Sequence, residues 1–222
     1  MTVGARSDSH GNRFARVDLP ATAAPLFRYL DKEEYAERFL AGEIRLSSLA
    51  KFRSDENESR RDEGEGHLQY QQEGSELPRG LGEVFVGDGA KNILFARNHF
   101  SARIDAPALS VSSHLNPQLA ERWSSPFVVE IGKPRLFAVR TGDALIAQHG
   151  AESVRVILRS IRYRDDHTRI RHDIEESAFQ KHSRFAVERE WRYLFAATPH
   201  VPGHTVHLKI QPEALEMRLH RL

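Results

Sequence analysis

"PLFRYLDKEEYAERFLAGEIRLSSLAKFR", residues 25–53, places a strand, a helix and a second strand in one short run. LFRYL is short, aromatic and apolar, the pattern of a strand. Asp31 stands where a helix N-cap is expected, and Glu33 and Glu34 follow in the first turn, where the helix dipole favours negative charge. Tyr35, Phe39 and Leu40 fall at helical spacing on one face, and Gly42 is the expected C-terminal stop. EIRLSSL then resumes as a strand with Ile44 and Leu46 pointing the same way.

Reading outward, residues 1–20, rich in Ser, Gly, Asn and Arg, are expected to be a flexible N-terminal arm, and residues 21–222 to make one domain. From 54 to 82 the chain is charged, Gly-rich and poor in large apolar residues, a long excursion of the kind that often carries function. EVFVG, NILFARNHFSARI, ALSVSS (108–113), PFVVEIG, SVRVILRSIRYR, EWRYLFAA and TVHLKI read as strands. NPQLAERW (116–123) reads as a helix capped by Asn116, with Pro117 at its first position. TGDALIAQHG is expected to be a helix ending at Gly150, SAFQKH part of another, and PEALEMRL a C-terminal helical turn. Strands outnumber helices and do not alternate regularly with them, which predicts an α+β fold with mixed or antiparallel sheets and a few short helices.

Composition excludes several classes. The 222 residues are 28% charged and 40% hydrophobic, with a formal net charge of +1, so the molecule as a whole does not attract nucleic acid or an anionic membrane. There is no cysteine, which removes disulfides, thiolate metal sites and thiol nucleophiles together. No apolar run approaches a membrane span, and the N-terminus lacks the apolar core of a signal peptide, so a cytoplasmic location is expected.

The chemistry points to AVEREWRYLF, residues 186–195. An extended reading puts Glu188, Glu190 and Arg192 on one face and Val187, Arg189, Trp191 and Tyr193 on the other, with Trp191 in the core. Carboxylates at i and i+2 of a strand lie roughly 6.5–7 Å apart at the backbone. One of them can then stabilise a developing positive charge while the other orients a nucleophile or a hydroxyl. Alone, the pattern suits surface ion pairs of small consequence better. Arg28 in LFRYL offers a guanidinium fork suited to phosphate or ribose oxygens, and Ser110 and Ser112 in ALSVSS offer small hydroxyls on one face.

The order of these elements resembles the Arg–Ser–Glu branch of the ADP-ribosyltransferase fold. That resemblance implies a split sheet with NAD as a substrate in the cleft between its halves. Arg28 and the neighbouring Tyr29 would then contact NAD, Arg28 at its phosphates or ribose. Ser110 and Ser112 would line the nicotinamide pocket. Glu190 would bond the ribose 2′-hydroxyl and stabilise the oxocarbenium ion, and Glu188 would position or deprotonate the acceptor. The implied activity is transfer of ADP-ribose to a protein or nucleic acid, in a toxin or phage-defence setting. Glu190→Ala is expected to abolish it with the melting temperature nearly unchanged.

Most of residues 25–195 also resembles a bacterial and phage-associated domain-of-unknown-function family. Its members open with an aromatic-basic-tyrosine strand and close on a Lys…Glu-x-Glu-aromatic-Arg block, here FQKHSRFAVEREWR. Where that family often has an Asn-Asp-Pro-like turn after the second strand, this chain has FRSDENESRRDEGEG.

Two alternatives stand beside the transferase reading. Arg155, Arg159, Arg162 and Arg164 crowd one stretch and suggest a nucleic-acid-binding module. Glu188 and Glu190 with the loop acids suggest a metal-dependent nuclease, although EIGK (130–133) is one residue too long for the usual Glu-x-Lys signature. No metal is assigned: Pro202 and Gly203 break any helix shared by His200, His204 and His207. The P-loop, the dinucleotide glycine fingerprint and the serine-hydrolase elbow are all missing from the sequence.

Overall fold

The computed structural model describes residues 16–18, 25–49, 51, 67–72, 98–103, 106–165, 174–198 and 205–222. It is an α+β fold with a mainly antiparallel sheet and few short helices. The strands are β1 (Arg16–Asp18), β2 (Leu26–Leu30), β3 (Glu43–Ser48), β4 (His67–Gln72), β5 (Asn98–Arg103), β6 (Pro107–Ser112) and β7 (Phe127–Ile131). They continue as β8 (Ser153–Ser160), β9 (Arg162–Arg164), β10 (Gln180–His182), β11 (Glu190–Thr198), β12 (Thr205–Lys209) and β13 (Met217–Arg221). The α-helices are α1 (Glu33–Leu40), α2 (Pro117–Arg122), α3 (Pro134–His149) and α4 (Ile174–Ser177).

Nine strands form one sheet, ordered β1-β8-β11-β6-β2-β7-β13, with β3 joined to β6 and β12 joined to β3. Among its described strand pairs only β1 and β8 run parallel. Tyr193 and Phe195 on one face of β11 join Val154, Val156 and Leu158 of β8 in a core closed by Phe137, Ala138 and Leu145 of α3. Leu194, on the opposite face, packs with Ala108, Ile157, Ala178 and Phe179 in a second core. Cover on both sides explains why β8 and β11 each place an apolar side chain, Ile157 and Leu194, on the face opposite the main core. Trp191 packs half-buried against the first core, on the face expected of it.

The strand–helix–strand unit at 25–53 forms as its spacing predicts, with one change. The helix N-cap is Lys32, whose side chain makes no capping bond, rather than Asp31. Gly42 takes φ +84° and lies against the Ile210 carbonyl, so close that a Cβ there would stand 2.2 Å from that oxygen. A side chain at this position would meet both the steric block and left-handed strain. Asn116 caps α2 through Oδ1, which accepts from Gln118 N at 3.0 Å, and Pro117 opens the helix.

Four expectations need correction. SAFQKH is not helical throughout: α4 stops at Ser177, and Gln180–His182 is a strand parallel to β9. PEALEMRL makes a turn and then β13, which pairs antiparallel with β7. The helix ending at Gly150 begins a full two turns earlier than TGDALIAQHG, at Pro134. Within the 54–82 excursion, residues 67–72 are a strand paired with 98–103. The strand expected at EVFVG and the acidic loop residues lie outside the described residues. No described helix is long and apolar enough to cross a membrane.

Candidate functional site

The site exists because β6 has two neighbours on one of its edges. Along its other edge it pairs with β11 from Ala108 to Ser112. On the divided edge, β3 pairs with it at Pro107 and Ala108, and β2 pairs with it at Ser112. Among the described strands, none pairs with residues 109–111 on that side. One arm continues as β2, β7 and β13, the other as β3 and β12. Between the arms lies a cleft of about 920 Å³. Arg28, Tyr29, Ser110, Ser112, Glu188 and Glu190, the residues singled out from sequence, all line it.

Arg28 bridges the split. Its Nη1 donates to the Ser110 carbonyl at 2.7 Å, supplying that backbone oxygen with a donor where no strand does. Ser110 Oγ in turn donates to Glu190 Oε1 at 2.6 Å. Ser112 Oγ donates to the Glu188 carbonyl at 2.9 Å and accepts from His114 N at 3.1 Å, so this serine fixes backbone rather than offering a free hydroxyl. Tyr29 has a similar role. Its hydroxyl donates to the His114 carbonyl and accepts from Asn116 N, both at 2.8 Å, and its ring meets Trp123 edge-on.

Glu188 and Glu190 converge, but not as i and i+2 of one strand. Residues Ser183–Glu188 form a 3₁₀ helix, and Arg189 sits in the left-handed region at φ 44° before β11 begins. Such a conformation is costly for a non-glycine residue; here the Arg189 carbonyl accepts from Ser113 N at 3.1 Å, which ties the turn to the end of β6. The turn brings both carboxylates onto one ammonium. Lys181 Nζ lies 2.8 Å from Glu188 Oε2 and 3.0 Å from Glu190 Oε2. Arg192 completes the cluster through Glu190 Oε1, at 2.6 Å from Nη2 and 3.1 Å from Nε, and its Nη1 bonds the Ala178 carbonyl. Tyr163 accepts from Glu190 N at 2.7 Å.

All four charged groups are nearly inaccessible: Lys181 5%, Glu188 1%, Glu190 4% and Arg192 0% exposed. Two buried cations balance two buried anions. Burial alone would raise the Glu190 carboxyl, but the charges of Arg192 and Lys181, with hydrogen bonds from Ser110 and Arg192, hold it down to about 2. Burial pushes the Tyr163 hydroxyl well up, so it stays neutral. Glu190→Ala would leave two buried cations with one carboxylate, so the expectation of an unchanged melting temperature is corrected.

A pH dependence follows. The folded Glu190 carboxyl lies at about 2 against an ordinary value of 4.5, so its contribution to stability is complete above about 4.5. That contribution is lost as pH falls through the window toward 2. Urea midpoints between pH 5 and pH 2.5 should drop more steeply for the wild type than for Glu190→Gln, and parallel curves would contradict the assignment.

Lys181 and Arg192 are the functional groups that the sequence reading left without a role. A helical SAFQKH hid Lys181, and Arg192 read as one half of a surface pair. The advance signals were the shared face of Glu190 and Arg192 and the Lys…Glu-x-Glu-aromatic-Arg block, which includes both Lys181 and Arg192 without giving either a role. The arginines at 155, 159, 162 and 164 do not line the cleft. Arg159 lies over the Phe179 ring at 5.6 Å, and Arg162 is 3.7 Å from Glu176.

Among the cleft-lining side chains, Arg28, Arg38, Arg45, Lys51, Lys181 and Lys209 are cationic. Asp31, Glu43, Glu188 and Glu190 oppose them, an excess of two positive charges. The cleft therefore suits an anionic ligand, with a fixed carboxylate pair at one wall. No protein-family model, no curated protein and no solved structure matches this chain.

Proposed function

We propose that the protein is an ADP-ribosyltransferase-like enzyme that cleaves NAD in the cleft between the two arms of its sheet. The observation that carries this reading is the convergence of Arg28, Ser110 and Glu190, from three strands, on one cleft at the break in the sheet. They are already linked in the order Arg28, Ser110, Glu190 by hydrogen bonds.

In this reading the Arg28 guanidinium, at the wall of the cleft, holds the diphosphate. Ser110 fixes Glu190 and, with Ser112, forms a wall low enough for the nicotinamide ring. Glu190, ionised throughout the neutral range, accepts from the ribose 2′-hydroxyl and stabilises positive charge as the C1′–N bond breaks. The bonding pair leaves with nicotinamide, which departs neutral, and the acceptor's nucleophile bonds C1′ and gives up its proton. Glu188, which faces the same ammonium, orients or deprotonates that acceptor in this reading.

The nuclease alternative fits less well. Lys181 Nζ occupies the position between the two carboxylates that a divalent cation would need.

The test is direct. Incubated with NAD, the wild type should release nicotinamide, measured by chromatography. Arg28→Ala should raise KM on the order of tenfold, the loss expected for a charge-assisted hydrogen bond. No nicotinamide above a protein-free control, with protein and nucleic-acid acceptors supplied, would remove the reading.

A further inference from the structure

The outer arm of the cleft carries a second set of polar groups that NAD cleavage does not use. In the β3–β12 pair, Glu43 faces Lys209, Arg45 faces His207 and Ser47 faces Thr205. Alternate residues share a face. Ile44, Leu46, Val206 and Leu208 point into the core, leaving those six on the opposite face. Five of the six line the cleft. Arg45, His207 and Lys209 are exposed.

The face is cationic. Arg38 Nε lies 2.7 Å from Glu43, and Lys209 Nζ lies 3.6 Å from the same carboxylate, so two cations share one anion. Lys51 Nζ reaches Thr205 Oγ1 at 3.4 Å, at the inner end of the arm. With Arg45, four cations stand against one carboxylate. They are spread along the arm, and alternate positions of a strand are roughly 7 Å apart. A row of this kind suits the repeated phosphates of an extended chain better than a single carboxylate. The hydroxyls of Ser47 and Thr205 and the ring of Tyr35, which also lines the cleft, add the contacts that sugar–phosphate and base groups take.

We propose that the β3–β12 face is the acceptor subsite and that it binds single-stranded nucleic acid through its phosphates. Its role as an acceptor subsite rests on the NAD-cleaving reading; the binding of the strand does not. The surface differs from the one the arginine-rich stretch at 155–164 suggested. The strand lies along the outer arm with one nitrogen or oxygen nucleophile turned toward the two carboxylates. That atom bonds C1′ as nicotinamide leaves with the C1′–N pair, and its proton passes to Glu188.

The experiment measures fluorescence anisotropy of a labelled single-stranded oligonucleotide with the full chain over a range of salt. The wild type should bind, and the double variant Arg45→Ala/Lys209→Ala should bind at least about tenfold more weakly. Its log–log salt slope should be shallower by about 1.4, near 0.7 for each lost phosphate contact. Arg159→Ala/Arg162→Ala should stay within about twofold of the wild type. The proposal is overturned if the first double variant binds like the wild type while melting like it. It is also overturned if the second loses as much, or if polyglutamate displaces the probe as well as unlabelled oligonucleotide does. Nicotinamide release by the wild type without oligonucleotide is scored separately, so a protein that binds the strand through this face but leaves NAD intact keeps the surface and loses the transferase reading.

Discussion

Arg192→Met is expected to cost about 3–5 kcal/mol of folding stability, the range found when one partner of a buried charge pair is removed. Arg192 is fully buried, and its guanidinium supplies two of the three hydrogen bonds at Glu190 Oε1 and one to the Ala178 carbonyl. Methionine restores most of the volume but none of these donors. Glu190 would then depend on Lys181, which it shares with Glu188. Against an ordinary domain stability of roughly 5–15 kcal/mol this is a large share. The urea midpoint measures it. A second variant separates charge from packing: in Arg192→Met/Glu190→Gln the buried carboxylate is gone as well, and part of the loss should return. A loss below about 1 kcal/mol in the single variant would mean that the cluster is solvated, contrary to its burial.

What the sequence makes legible is local. β2, β7, β8 and β11 coincide with runs rich in β-branched or aromatic residues, β3 follows the alternation of Ile44 and Leu46, and α2 begins where Asn116 and Pro117 say it should. These elements carry their own signals within a few residues. β10 and β13 do not. Gln180–His182 is extended because β9 lies beside it, and Met217–Arg221 because β7 does. MRLHR has no strong strand pattern, so its pairing partner, far away in sequence, decides its conformation.

The site divides in the same way. Arg28, Ser110 and Glu190 are visible as residues on strands, and in the fold all three line one cleft. The way Glu188 reaches the cleft is not visible. An extended reading places it by alternation, whereas a 3₁₀ turn and a left-handed Arg189 bring it there, and no local pattern in AVERE marks that conformation. Lys181 is hidden for a related reason. Its meaning lies in the carboxylates 7 and 9 residues away that fold back onto it. Glu-x-Glu, read as two acids on one strand face, becomes in the fold two acids bridged by one lysine.

That lysine shapes the second large effect. Glu190→Gln is expected to lower kcat for nicotinamide release by about 10²–10³-fold, the cost of removing one electrostatic stabiliser of a transition state. KM should change little, because Arg28 rather than Glu190 holds the charged part of NAD in this reading. Glutamine keeps the shape and can still accept from Ser110 through its carbonyl oxygen, so the change removes charge with little change in form. It also leaves Lys181 and Arg192 facing one remaining carboxylate, and stability should fall with it. The rate is therefore read well below the variant's melting temperature, with circular dichroism confirming the fold. Glu188→Gln keeps Glu190 charged and Lys181 paired, and should affect transfer to an acceptor more than nicotinamide release into water. A Glu190→Gln protein that stays folded and releases nicotinamide within about threefold of the wild-type kcat would be incompatible with a role for this carboxylate at the reacting carbon. Glu190 would then be one more partner in a buried ion pair.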